Sequence, residues 1–410
     1  MGKIANPELA EEGEKNFRWA KNHMTALNTL TEKYIKGRPL QGVTLGVCLH
    51  VTKETSVLVD ALVRAGADVK LAAANPLSTQ DDVAAFLARE AEVWAWKGET
   101  PKEYDWCIRQ VLAQKPQILI DDGGDLHVAA MNARLKTAMG GCEETTTGVV
   151  RITALEREGK LGYPVIAVNN AKTKHLFDNR YGTGQSTFDG IMRATSLLVA
   201  GKRVVVVGYG WVGKGVARRA VGLGARVTVV EVDPIKALEA HLDGFEAMTI
   251  KEAARQGDIF ITCTGMKRVI PYSSIELMKE GAILSNAGHF DVEIDVKTLL
   301  RRAKSVREVR PNVDEVVLPN GRRVYLLGKG RIVNLVAAEG HPPEVMQMSF
   351  ANQFMSALYV LRNHSNLVNR VLDVPPEIES QVALATLESL GIAIDKPTKA
   401  QLKYAESWKI

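Results

Sequence analysis

Gly208, Gly210 and Gly213 are the residues whose spacing alone points most clearly to chemistry. They follow the apolar run Val204-Val205-Val206-Val207 as Gly-x-Gly-x-x-Gly. The first glycine permits a tight turn, the second lets backbone amides reach a pyrophosphate, and the third lets the next helix pack close to the sheet. That helix then presents its positive N-terminal end to the phosphates. A second apolar run, 227–230, ends in Glu231, 18 residues beyond Gly213. A carboxylate there accepts hydrogen bonds from a ribose diol and repels a 2′-phosphate, so NAD is favoured over NADP. Lys236, close behind, argues the other way. Glycine-rich turns also serve plain packing, but here strand, glycines, helix, strand and acid occur in order. The motif names a cofactor and leaves the reaction open.

Other residues could do chemistry but do not declare it singly. His50 ends an apolar run and reads first as a core histidine. The aspartates of Asp121-Asp122-Gly123-Gly124-Asp125 could cap a helix or form a turn. Lys174 alone reads as a solvated lysine, and Thr145-Thr146-Thr147 as a β-type run. The four cysteines and eight histidines show no metal-ligand spacing, so no metal site is expected.

The elements that must position these groups alternate between short β-rich runs and helical patterns, which points to parallel sheets with crossover helices. A helix is expected over 7–34. Strands are expected over 43–49, 69–73, 93–96, 118–120 and 165–168, with a helix over 54–65. A second series opens with a helix over 187–200. It continues with strands over 204–207, 227–230, 259–262 and 282–284 and a helix over 216–222. Pro319-Asn320-Gly321 reads as the turn of a hairpin between 315–318 and 323–327. The segment 345–361 is helical, and Pro375-Pro376 precedes two last helices.

Composition narrows the function classes. The chain has 410 residues, 46% hydrophobic and 24% charged, with a net charge of +5. That length suits two or three domains. The charge is spread thinly, without the basic stripe of a nucleic-acid binder. No uncharged apolar run is long enough for a membrane helix, and Met1-Gly2-Lys3-Ile4 leads into charged sequence with no apolar signal core. Scattered cysteines suit reduced thiols, so a cytoplasmic location is expected.

Beyond these local signals, the sequence resembles the S-adenosyl-L-homocysteine hydrolase family over almost its whole length. The resemblance is carried by Cys48-Leu49-His50-Val51-Thr52-Lys53-Glu54, Asn75-Pro76-Leu77-Ser78-Thr79-Gln80-Asp81, Asp121-Asp122-Gly123-Gly124-Asp125 and Glu143-Glu144-Thr145-Thr146-Thr147. Further matches are Lys174-His175-Leu176-Phe177-Asp178-Asn179, Gly288-His289-Phe290-Asp291, Val333-Asn334-Leu335 and Gly340-His341-Pro342. It implies an α/β fold in which a Rossmann-type NAD domain (182–340) is inserted into a discontinuous α/β substrate domain (1–181 and 341–374). A short helical extension (375–410) follows. Hinges are expected near 180 and 341.

The implied reaction is reversible hydrolysis of S-adenosylhomocysteine to adenosine and homocysteine. NAD would oxidise the ribose 3′-hydroxyl, which acidifies the C4′ proton. Homocysteine is then eliminated, water adds, and the ketone is reduced again. Carried over position by position, Lys174 and Asp178 fall at the ribose hydroxyls. Lys174 would be the base, its pKa lowered by desolvation or a neighbouring cation. His50, Asp122 and His289 would handle protons at C4′ and C5′. Thr52, Glu54, Glu144, Asn179 and His341 would bind substrate, with Glu54 favouring adenine. Thr145, Thr146, Thr147, Asn179, Gly208, Gly210, Trp211, Val212, Gly213, Glu231, Thr264, Gly288 and Asn334 would bind the cofactor. S-inosylhomocysteine is the alternative substrate, and an NAD-dependent binding subunit the alternative function. The resemblance also implies a homotetramer. Longer members carry a C-terminal segment that reaches a neighbour's NAD; this chain stops at Ile410, so weaker NAD retention is expected.

Overall fold

A computed structural model describes residues 2–408. It contains two sheets, and the chain crosses between them twice. The first sheet is built from β1 (Thr44–Leu49), β2 (Asp68–Ala73), β3 (Glu92–Trp94), β4 (Ile118–Asp121), β5 (Gly140–Glu143) and β6 (Val165–Ala167). The second holds β7 (Arg203–Val207), β8 (Arg226–Val230), β9 (Glu246–Ala247), β10 (Ile259–Thr262), β11 (Ala282–Asn286), β12 (Ser305–Arg310), β13 (Val313–Val317) and β14 (Arg323–Leu327). The chain then returns through the long helix Pro343–Asn363 to β15 (Val371–Asp373), which pairs with β6.

The first sheet runs β15-β6-β5-β4-β1-β2-β3 and is parallel throughout. Helices cover both faces, so its strands are apolar without alternation, as in Leu45-Gly46-Val47-Cys48-Leu49. The second sheet runs β12-β13-β14-β11-β10-β7-β8-β9. Its β12-β13-β14 edge is an antiparallel meander joined in parallel to β11. Strand order reverses between β1 and β4 in the first sheet and between β7 and β10 in the second. Ligands of open α/β sheets bind in the crevice at the carboxyl ends of the strands flanking such a reversal. His50 follows β1 and Asp122 follows β4, while Gly208 follows β7 and Cys263-Thr264 follow β10. Both switch points open onto the same inter-lobe cleft.

Several expected elements are redrawn. The helix expected over 7–34 is two helices, Ala10–His23 and Thr25–Tyr34, because Met24 (φ −111°, ψ 48°) leaves helical geometry to bury its side chain in the core. The helix expected over 187–200 is Thr183–Thr195, closed by Ser196 in the left-handed region (φ 55°). The strand expected over 93–96 stops at Trp94. Four strands, β5, β9, β12 and β15, have no sequence expectation behind them. In β5, Gly141 lies so close to His127 that a Cβ would meet its Cε1 at 2.3 Å. Close packing selected glycine there, at the expense of the β-type signal.

Candidate active site

The cleft between the lobes is a cavity of about 590 Å³. Lining it are His50, Thr52, Glu54, Asp122, Glu144, Thr145, Thr146, Thr147, Lys174, Asp178, Asn179, Gly210, Trp211, Val212, Thr264, Gly288, His289 and His341. Gly208, Gly213, Glu231 and Asn334 do not form its wall. The two glycines lie beneath the turn, where a Cβ on Gly213 would meet the Gly208 carbonyl oxygen at 2.0 Å. Glu231 ends the strand beside that turn, and Asn334 is fully buried behind the wall.

One group of side chains gathers around Asp122. His50 Nε2 is 3.6 Å from Asp122 Oδ2, and His289 Nδ1 is 3.6 Å from Asp122 Oδ1. His289 comes from the second lobe, so this trio exists only because the lobes meet. Gly123 makes the approach possible. Its φ of +106° favours glycine, and a Cβ there would lie 2.3 Å from His289 Nε2. Ser78 Oγ holds His50 Nδ1 at 2.8 Å, which leaves Nε2 for the cavity. Burial pushes His50 down to about 4 against the pull of Asp122, and pushes His289 down as well. Both imidazoles are therefore neutral near neutral pH, beside one carboxylate. Linear spacing hides this two-histidine, one-carboxylate grouping.

A second group surrounds Lys174. Its ammonium is 3.0 Å from Asp178 Oδ2, 3.6 Å from Glu144 Oε1 and 2.8 Å from Asn179 Oδ1. Burial works to lower the lysine, but Asp178 and Glu144 outweigh it and hold the ammonium above its ordinary range. This corrects the expectation of a lowered pKa. The second carboxylate, which follows β5 and is far from Lys174 in sequence, outweighs the desolvation. Burial also acts to raise Asp178, yet Lys174 and His341 hold it well below the usual carboxylate range. His341 Nδ1 pairs with Asp178 Oδ1, and Ser349 donates to Asp178 Oδ2 at 3.1 Å. Glu144 is pushed by burial to about 8, with Lys174 opposing, and accepts from Gln353 at 2.6 Å.

Sequence reasoning missed Ser349 and Gln353. The helix Pro343–Asn363 buries Gln347, Ser349, Asn352, Gln353 and Ser356 among Phe350, Phe354 and Leu358. A buried helix carrying that many polar side chains needs partners for them. The pattern Met348-Ser349-Phe350-Ala351-Asn352-Gln353-Phe354 held that signal.

The second lobe carries features that fit a dinucleotide. Gly210 caps the helix Trp211–Gly222, and a Cβ there would meet no atom within 4 Å, so its backbone lies bare beside the cleft. The Glu231 carboxylate is held by the amides of Tyr209, Val232 and Asp233 at 2.7, 2.7 and 3.1 Å. Asn334 donates to Ser186 at 3.0 Å, but its buried Oδ1 has no hydrogen-bond partner in the chain. That orphaned acceptor suits a carboxamide donor. The Thr264 turn is pinned by buried Glu293, which accepts from Thr264 N, Thr264 Oγ1 and Gly265 N at 2.9, 2.7 and 2.8 Å. Glu293 too had no expected role. Thr145 stands at the N-cap of Thr146–Arg157, aiming the threonine run from the first lobe.

Comparison with known proteins agrees with this geometry. The family model "S-adenosyl-L-homocysteine hydrolase" matches residues 2–139, and its "NAD binding domain" matches 179–340. An adenosylhomocysteinase of Sulfurisphaera tokodaii is 55% identical, with 99% of both chains covered. One of Aquifex aeolicus is 52% identical, again over 99% of both. An S-inosyl-L-homocysteine hydrolase of Methanocaldococcus jannaschii is 53% identical, over 100% of this chain and 99% of its own. Switch-point crevices, a dinucleotide turn and this level of full-length identity lead to one conclusion: the chain belongs to the S-adenosyl-L-homocysteine hydrolase family.

Proposed function

We propose that the protein is an NAD-dependent adenosylhomocysteinase, reversibly hydrolysing S-adenosyl-L-homocysteine to adenosine and L-homocysteine. One observation carries the reading. A single inter-lobe cavity is lined by the glycine turn and by two separate clusters of titratable side chains, one around Lys174 and one around Asp122, and this supports two proton-handling groups. Relatives named for adenosyl and for inosyl substrates are about equally similar, so particular residues must set the base. Glu54, buried at the cavity wall, supports adenine through its 6-amino group, which a carboxylate accepts from.

NAD would be held by the Gly208–Gly213 turn with Trp211 and Val212, by Glu231 at the ribose, by Thr145–Thr147 with Asn179, and by Thr264, Gly288 and Asn334. When bound, NAD supplies reversible hydride abstraction at ribose C3′, which makes the C4′ proton acidic enough to leave. Lys174, oriented by Asp178 and Asn179, moves the proton of the 3′-hydroxyl. Glu144 accepts from the ribose hydroxyls, and Thr52, Glu54 and His341 bind the nucleoside. Asp122 and His50 move protons at C4′ and C5′, with His289 completing the trio, so the departing thiolate and the entering water are both served. Meeting of the lobes excludes water from this chemistry.

In the same reading, 1–181 with 341–374 form the substrate domain, 182–340 the NAD domain and 375–410 the extension. Pairing of β15 with β6 supports that division. A homotetramer is supported by the bare apolar side chains Val232, Ile235, Leu238 and Leu242. A cytoplasmic location is supported by four free cysteines, three of them buried.

The deciding experiment is release of homocysteine thiol from S-adenosylhomocysteine by the NAD-loaded protein. Thiol release is expected, and its absence overturns the reading. For the cofactor, Glu231→Gln is expected to narrow the preference for NAD over NADP by about tenfold, as a charge worth roughly 1.4 kcal/mol is removed. Titration of intrinsic fluorescence with each nucleotide measures this, and an unchanged ratio would remove Glu231 from the ribose site.

A further inference from the structure

Lys53 and Glu54 open the helix Lys53–Arg64, and both side chains turn inward, 11% and 1% exposed. The Lys53 ammonium stands 3.3 Å from Glu54 Oε1 and 3.0 Å from Glu339 Oε2. Glu339 belongs to the segment returning from the second lobe, and its Oε1 is 3.2 Å from Arg193. Gln80 fixes the arrangement. Its side-chain oxygen accepts from the Lys53 amide at 3.0 Å, and its amide nitrogen donates to the Glu339 carbonyl at 3.4 Å. One ammonium is thus shared between a carboxylate that lines the cavity and a carboxylate at the junction of the lobes.

Burial favours the neutral form of Glu54, and Lys53 opposes it. Which form prevails decides what Glu54 can recognise. An ionised carboxylate only accepts hydrogen bonds, whereas a neutral carboxyl also donates. A 6-aminopurine offers a donor at its amine. A 6-oxopurine offers an acceptor at O6 and a donor at N1, which a neutral carboxyl matches on both counts.

We infer that Lys53 is a specificity-determining positioning residue: its ammonium, held between Glu54 and Glu339, keeps Glu54 an acceptor-only group and so selects a 6-aminopurine nucleoside over a 6-oxopurine one. This rests on the hydrolase reading above. Lys53 acts through Glu54 and does not itself touch the base. Beyond Lys53 stands Glu339 of the connecting segment, with Arg193 behind it, and the titratable His50 and His341 line the same cavity as Glu54. The helix Pro343–Asn363 contributes only uncharged Met346 and Phe350 to the cavity wall. Glu54 loses its charge as pH falls through its raised value, so preference for the amino base is present on the alkaline side and decays on the acid side.

The test measures kcat/KM for condensation of homocysteine with adenosine and with inosine, from acid through alkaline pH. It uses NAD-loaded wild type, Lys53→Met, Lys53→Arg and Glu339→Gln. In wild type the adenosine-to-inosine ratio is expected to fall with acid. Lys53→Met is expected to narrow it by at least about tenfold, equivalent to a tenfold change in the ionisation of Glu54, chiefly through a lower KM for inosine. Lys53→Arg should restore the ratio. Glu339→Gln frees the ammonium for Glu54 and should hold or widen it.

A Lys53→Met variant that slows both nucleosides equally, with the ratio intact, overturns the inference. So does Glu339→Gln narrowing the ratio as Lys53→Met does, because the link between lobes would then be the operative feature. If Lys53→Met does not fold, Lys53→Gln takes its place and is read by the pH at which the ratio falls: a fall displaced to higher pH supports the inference, and a fall at the wild-type pH counts against it. Wild type that prefers inosine overturns the inference and leaves the hydrolase reading standing. Wild type that uses neither nucleoside fails the hydrolase reading itself.

Discussion

Replacing Lys174 by Met is expected to slow homocysteine release from S-adenosylhomocysteine by about 10³-fold, within the range that a positioned acid or base contributes. Among the described residues the ammonium is the only cation within 4 Å of Glu144, and it lies 3.0 Å from Asp178. Methionine keeps the length of the stem and removes both the charge and the transferable proton. It also leaves buried carboxylates uncompensated, a cost of about 3–5 kcal/mol for a broken buried pair. A thermal melt separates the two effects. The double variant Lys174→Met/Asp178→Asn is expected to recover stability without recovering rate. A Lys174→Met protein that binds NAD and adenosine and keeps its rate within tenfold would remove Lys174 from the chemistry.

The free site holds this lysine charged, so its work as a base depends on what happens to its carboxylates when substrate enters. Glu144, pushed by burial to about 8, is the group in this cluster poised near neutral pH. Ribose hydroxyls that donate to Glu144 and Asp178 would weaken the hold of both on Lys174. In the proposed mechanism substrate would thereby convert a buried ion cluster into a basic amine at the moment one is needed.

The nucleotide half of this molecule was legible because its chemistry is local. Strand, turn, helix and acid lie within residues 204–231, and the constraints on Gly208, Gly210 and Gly213 are backbone constraints that composition displays directly. The Lys174 cluster was legible only in part. Asp178 lies one helical turn away and could be paired on sight, but Glu144 reaches Lys174 from a strand that two glycines disguised. Gln353 and Ser349 come from a helix some 170–210 positions further on, a separation no periodicity bridges. The Asp122 trio shows the same limit. Its histidines lie 239 residues apart in sequence, on different lobes, yet the ring centroids are 5.6 Å apart. Helix ends failed for a different reason. Met24, fully buried, sits at a non-helical bend that the otherwise continuous helical pattern does not display.

Asp122→Asn is expected to separate the two proton-handling groups. Asparagine preserves the shape of the side chain between His50 and His289 and removes the one charge in the trio. With both imidazoles pushed down by burial, His50 to about 4, neither is a cation in the resting enzyme. A proton taken up during the reaction would create a buried imidazolium, and the Asp122 carboxylate is what stabilises it. Thiol release and exchange of the C4′ proton with solvent deuterium are therefore expected to fall together, by about 10²–10⁴-fold. Chemistry at the 3′-hydroxyl depends on the Lys174 cluster and should survive. Adenosine added to the loaded variant would still produce the absorbance of reduced nicotinamide, which would persist because the later steps are blocked. The pH profile supplies an independent check. A His50 near 4 gives the free enzyme no inflection from this residue around the ordinary histidine value of about 6.5. If reduction at the 3′-position and C4′ exchange were lost in equal measure, the two clusters would act as one unit, and the division of labour between Lys174 and Asp122 would fall.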